Sequence, residues 1–63
     1  MEVKYHVFSD GCDDWYREFA DALDQFRAYE SEGRNARLYL ELQDEQGEML
    51  AESCLLSSGE YPL

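Results

Sequence analysis

The stretch "DGCDDWYREFADALDQF", residues 10–26, sets the fold by the period in which its apolar residues are read. Trp15, Phe19, Ala22, Leu23 and Phe26, continued by Tyr29, are spaced by three, four or one residue, as on a single helical stripe. This spacing predicts a helix over about 12–31. "SDG" at 9–11 offers turn and capping chemistry before it, and Asp13 and Asp14 suit the positive end of a helix. Gly33, just past the last periodic residue, supplies a left-handed conformation to close it.

Working outward, "EVKYHVF" at 2–8 alternates, with Val3, Tyr5 and Val7 on one face and Lys4, His6 and Phe8 on the other, so it reads as a strand. "ARLYLELQ" at 36–43 alternates too, setting Leu38, Leu40 and Leu42 against Arg37, Tyr39, Glu41 and Gln43. "DEQG" at 44–47 fits a type I turn with Gly47 left-handed, and "EMLAESCLL" returns to complete a hairpin over about 36–56. Two registers stay open: a bulge at Gly47 sets Leu42 opposite Leu50, and a four-residue loop sets it opposite Met49. The tail, 57–63, holds turn residues and a proline, and is expected to leave the sheet with Tyr61 or Leu63 folded back over an edge.

The expected architecture is α+β in the order β-α-β-β, one domain over 1–63 with an amphipathic helix packed on a three-stranded, mostly antiparallel sheet. The preferred strand order puts the returning hairpin arm between the other two strands. A competing order makes strands 2–8 and 36–43 parallel neighbours joined by a right-handed crossover. Trp15, Phe19, Phe26 and Tyr29 are expected in the core, and Tyr16, about 100° round the helix from Trp15, half-exposed beside Asp14 and Glu18.

A 63-residue chain buries only about 60% of its unfolded surface, so its stability reserve is thin. A hydrophobic content of 44% nonetheless argues for a folded core over disorder. Fifteen acidic residues against five basic ones give a net charge of −10, which disfavours nucleic-acid phosphates and anionic membranes and points to basic proteins as partners. No apolar run approaches the roughly 20 residues of a membrane span, and the N-terminus lacks a signal peptide's layout. The expectation is a cytoplasmic monomer. Cys12 and Cys54 lack CxxC spacing and are expected as thiols; with His6 the single histidine, no metal and no cofactor are expected.

On a wheel for the expected helix, Asp14, Glu18, Asp21 and Glu32 form one flank that no cation interrupts, with Gln25 and Ala28 between them. Asp13 and Asp24 lie outermost beside Arg17, and Arg27 and Glu30 take the other flank. Like charges three or four residues apart each weaken a helix by about 0.2–0.5 kcal/mol. The helix dipole accounts for Asp13 and Asp14 but not for Glu18, Asp21, Asp24 or Glu32. Carboxylates on successive turns recur at roughly 5.4 Å, of the same order as phosphate spacing along a nucleic-acid strand. A second acidic cluster, Asp44, Glu45 and Glu48, marks the hairpin tip. Asp13, Asp14, Glu18, Asp21, Asp24, Glu32, Asp44 and Glu45 are therefore the candidate partner-binding residues. The plainer reading is that these charges keep a small protein soluble, although −10 exceeds the roughly 2–8 typical of a soluble small domain.

Catalysis is not expected. Paired catalytic carboxylates face one another across a substrate, whereas a solvated helix flank encloses nothing. Cys12 near a helix N-terminus gains the dipole, yet Asp10, Asp13 and Asp14 oppose its ionisation, and His6 is the sole base available to it. "DGCDD" lacks the D-x-D-x-D-G pattern of a calcium loop.

The tract "GRNARLYLELQDEQGEMLAESCLLSSGEYP" resembles the C-terminal half of small proteins from bacterial genomes and mobile elements, and "ALDQFRAYESEG" resembles their helix. As a compact acidic domain, the chain is also similar to phage-encoded anti-CRISPR proteins, the type I-C inhibitors in particular. Several proteins of that class block type I surveillance complexes by imitating DNA. The resemblance implies an inhibitor acting in a bacterial host cell on a basic nucleic-acid-binding partner such as a Cas5 or Cas8 subunit, and it assigns no residue roles. The alternative is a small acidic interaction module that binds another basic partner, such as a toxin or regulator, without DNA mimicry.

Overall fold

The computed structural model describes residues 1–58 and contains five elements: β1 (Glu2–Ser9), β2 (Cys12–Tyr16), α1 (Phe19–Ser31), β3 (Ala36–Gln43) and β4 (Met49–Ser58). The fold is α+β, with one helix against a four-stranded antiparallel sheet in the order β2-β1-β3-β4.

The fourth strand comes from the first quarter of the expected helix. Asp10 and Gly11 both take positive φ, 29° and 88°, and Ser9 pairs with Cys12 across them. Two successive left-handed residues make the tight hairpin turn for which Asp-Gly is a strong signal, so residues 10–11 reverse the chain instead of capping a helix. From there Cys12, Asp14 and Tyr16 alternate with Asp13 and Trp15 along β2, and β1 pairs with it from Tyr5↔Tyr16 to Ser9↔Cys12. The helix is correspondingly shorter. It starts at Phe19 behind an extended Glu18 that makes no side-chain cap.

The helix end follows expectation. Gly33 (φ 77°) donates its N–H to Glu30 O at 3.0 Å, and Arg34 donates to Tyr29 O at 3.0 Å, which together form the Schellman closure. The 44–47 turn also forms: Gly47 N–H donates to Asp44 O, and Asp44 Oδ1 accepts the N–H groups of Gln46 and Glu48 at 2.9 Å each. Neither expected register follows it. A bulge between Leu42 and Gln43 sets Leu42 opposite Ala51 and Gln43 opposite Met49.

Both expected strand orders are corrected as well. The strand at 36–43, not the returning arm, is central, and it lies beside β1 but antiparallel to it. The additional reversal at Asp10–Gly11 inverts the direction in which the chain enters the helix, and hence the direction of β3. β4 continues through Ser57 and Ser58, so these two residues do not leave the sheet. The expected placement of Tyr61 or Leu63 over an edge lies outside the described residues.

α1 packs over β1, β2 and β3, and β4 lies at the sheet's edge outside this footprint. Val7, Ala22, Phe26, Tyr29, Ala36 and Leu38 form the core, with Tyr5, Tyr16 and Leu56 packed against it. Phe19 reaches only the core's margin, edge-on to Tyr5. Trp15 is not a core residue. It projects from the sheet face opposite the helix and is 53% exposed. Among the described residues, no helix is long and apolar enough to cross a membrane.

Candidate functional site

Pairing across the sheet divides the ionisable residues between its two faces. His6 lies on the face opposite the helix, paired with Trp15 on β2 and Tyr39 on β3. Its ring stacks on Trp15 with centroids 4.4 Å apart and planes 7° from parallel, and it faces Tyr39 at 5.7 Å. Asp13 Oδ1 lies 2.7 Å from His6 Nε2. Glu41 Oε2 lies 3.1 Å from Nδ1, although that contact lacks hydrogen-bond alignment and leaves the buried Nδ1 without a hydrogen-bond partner.

Glu41 is only 3% exposed, which is unusual for a carboxylate. Its Oε1 accepts the Trp15 indole N–H at 3.3 Å and the Gln43 amide at 3.5 Å. Glu52 stands directly opposite it on β4. Desolvation against the sheet pushes the Glu52 carboxyl above its ordinary range; its hydrogen bond to Glu41 and the Glu41 charge add to the rise, and His6 opposes them. No Lys or Arg lies within ion-pairing distance of Glu41 or Glu52 among the described residues.

The candidate partner-binding acids are dispersed by β2. Asp13 faces His6 on the open side of the sheet. Asp14, its neighbour, points to the helix side, half-buried, and accepts the Tyr29 hydroxyl at 2.8 Å. That hydrogen bond, then burial, raises the Tyr29 pKa. Tyr16 is half-buried as expected, and its hydroxyl donates to Gln25 at 3.4 Å. Its pKa is raised by burial and then by Asp14 and Asp21, so two of the expected flank acids do sit near one another, one from β2 and one from α1.

Glu18, Asp21 and Asp24 are exposed and form no ion pair among the described residues, whereas Glu32 reaches Arg34 at 3.8 Å. Asp44 is half-buried and braces the hairpin turn through Oδ1, while Glu45 is exposed at its tip. β1 begins, β2 ends and β3 turns into β4 at one end of the sheet, and α1 starts there. Glu2, Glu18, Asp21, Asp44, Glu45 and Glu48 therefore gather at that end. Its cations, Lys4 and Arg17, both lean on Glu2, at 3.5 and 4.0 Å.

Cys12 and Cys54 are free thiols on opposite faces and opposite edge strands, too far apart for a disulfide. Cys12 lies in a strand, away from the N-terminal end of α1 that sequence placed beside it; Arg34, just past the C-terminal end of α1, contacts its Sγ at 3.5 Å. Sequence reasoning passed over Glu41 and Glu52 because strand alternation assigns them to a wet face. The usable signal was Asp10-Gly11, since a hairpin there brings Trp15 across His6 and covers Glu41. Set against protein-family models, curated proteins and solved structures, the chain matches none of them.

Proposed function

We propose that this chain is an acidic inhibitor that occupies the DNA-binding site of a CRISPR-Cas surveillance complex in the bacterial cytoplasm, presenting the carboxylate-rich end of its sheet to a basic subunit of the Cas5 or Cas8 kind. The observation that supports the reading is the segregation of charge: Glu18, Asp21, Glu45 and Glu48 lie at one end, none of them ion-paired among the described residues. A charge that serves only solubility has no need to be gathered at one end. The surface is assembled from three segments, the helix start, the hairpin tip and the first strand, so an acidic ladder along one helix is not what carries the proposal.

The test is displacement of a labelled target duplex from a purified type I-C surveillance complex. The chain is expected to compete, more weakly as salt rises, because exposed charges are screened over about 10 Å at 0.1 M ionic strength. Reversing Glu18 and Asp21 to Lys is expected to weaken competition by about tenfold or more while circular dichroism is unchanged. Absence of competition overturns the proposal. Tight binding to a basic partner that DNA does not displace would favour the interaction-module alternative.

A further inference from the structure

The open face of the sheet holds a second set of groups that the acidic end does not use. We propose that His6, Glu41 and Glu52 bind one divalent transition-metal ion of the zinc type, with Asp13 fixing the histidine from behind. Their candidate donor atoms, one from each residue, lie within 4.8 Å of one another. Ligand atoms around a tetrahedral ion with bonds of about 2.0–2.2 Å stand roughly 3.3–3.6 Å apart, so the 3.1 Å from Nδ1 to Glu41 Oε2 is just under that spacing and the set closes on an ion by rotation of the exposed Glu52 side chain.

The histidine is the independent observation that points to a cation. With Nε2–H donating to Asp13, Nδ1 presents a lone pair toward a buried carboxylate oxygen, and the two repel unless something positive lies between them. Nδ1 is itself buried, and although Glu41 Oε2 lies 3.1 Å away the two atoms are not aligned for a hydrogen bond. A metal ion accepts both lone pairs at once. A ring nitrogen tied to a carboxylate while the other faces the ion is the usual setting of a ligating histidine, since that bond fixes the tautomer. Glu41 supplies the second reason. It is only 3% exposed with no Lys or Arg in reach among the described residues, and a bound cation offsets the desolvation of a carboxylate buried in this way. The three ligands come from β1, β3 and β4, neighbouring strands held in register by backbone hydrogen bonds, so the site is pre-formed and leaves a fourth position for water.

The experiment is a titration of the metal-stripped full chain with Zn²⁺, followed by calorimetry and, with Co²⁺ in place of Zn²⁺, by visible absorption. The expected result is one ion per chain, cobalt bands of a low-symmetry four-coordinate nitrogen and oxygen site, and no displacement by equimolar Mg²⁺. Glu52→Gln, an exposed side chain whose replacement leaves the fold intact, should weaken binding by about tenfold or more, and Asp13→Asn by about tenfold, the order seen when a ligand or its supporting carboxylate is removed. Glu45→Gln with Glu48→Gln, at the hairpin tip, should change nothing. Unchanged affinity in Glu52→Gln overturns the assignment. So does weak binding of several ions displaced equally by Mg²⁺, which is condensation on a polyanion, or an intense sulfur-to-cobalt band, which assigns the ion to a cysteine.

Discussion

Tyr29 shows how little slack single residues have in this core. Its ring is buried under Arg34, whose guanidinium carbon sits 4.7 Å from the ring centroid, and its hydroxyl spans from α1 to Asp14 on β2. Tyr29→Phe keeps the ring and leaves Asp14 half-buried without that donor, so the variant is expected to lose about 1.5–3 kcal/mol in a urea titration at pH 7, in line with hydrogen bonds to charged groups. The pH dependence has a fixed sign. The Tyr29 pKa is raised in the fold, so the contribution is full below the unfolded value near 10 and is lost as pH rises through the folded value. Above neutrality the gap between wild type and Tyr29→Phe should therefore narrow only in strong alkali; a gap that narrows between pH 6 and 8 would assign the effect to another group. At this scale the sequence was partly legible. The stripe Ala22, Phe26 and Tyr29 could be read from its spacing and is buried, but Trp15, continuous with that stripe on paper, belongs to a different element and faces the other way.

Among the elements, β2 carries the lesson about local signals. Asp-Gly before a carboxylate-rich, amphipathic run satisfies both a helix start and a hairpin turn, and local chemistry alone does not choose between them. The choice is made by β1, which offers a partner strand two residues away and an aromatic pairing, Tyr5 with Tyr16 and His6 with Trp15, that a helix at 12–16 would forgo. The left-handed Gly11 gives this a decisive test. A Cβ added there meets nothing within 4 Å, so Gly11→Ala acts through backbone strain alone and should destabilise by about 1 kcal/mol in urea. Asn enters the left-handed region more readily than Ala, so Gly11→Asn should lose less than Gly11→Ala, and equal losses would count against the turn. The other elements declared themselves because their signals were unshared. Gly33 had only a helix end to serve, and the alternation of 36–43 suited only a strand. The hairpin register was not legible, since the bulge beside Leu42 arises from strand pairing that no short stretch encodes.

The whole molecule reconciles a charge of −10 with a small core by sorting its acids. Some brace structure: Asp14 holds Tyr29, Asp44 closes the hairpin and Glu41 anchors the Trp15 indole. Others gather at one end in water. Composition announced the excess but not this division of labour, because which acid meets which partner depends on two hairpins folding across a common sheet. The same layout leaves β4 an edge strand paired with β3 alone among the described residues, with Leu56 packed against the core. β4 should therefore open as a unit well before the molecule unfolds, and its amides should exchange with deuterated solvent faster than those of β1 and β3. Because Glu52 rides on that strand while His6 and Glu41 stay behind, occupation of the proposed metal site would latch it. Zn²⁺ should then slow exchange along β4 selectively, and an ion that protected every strand alike would have to be held elsewhere.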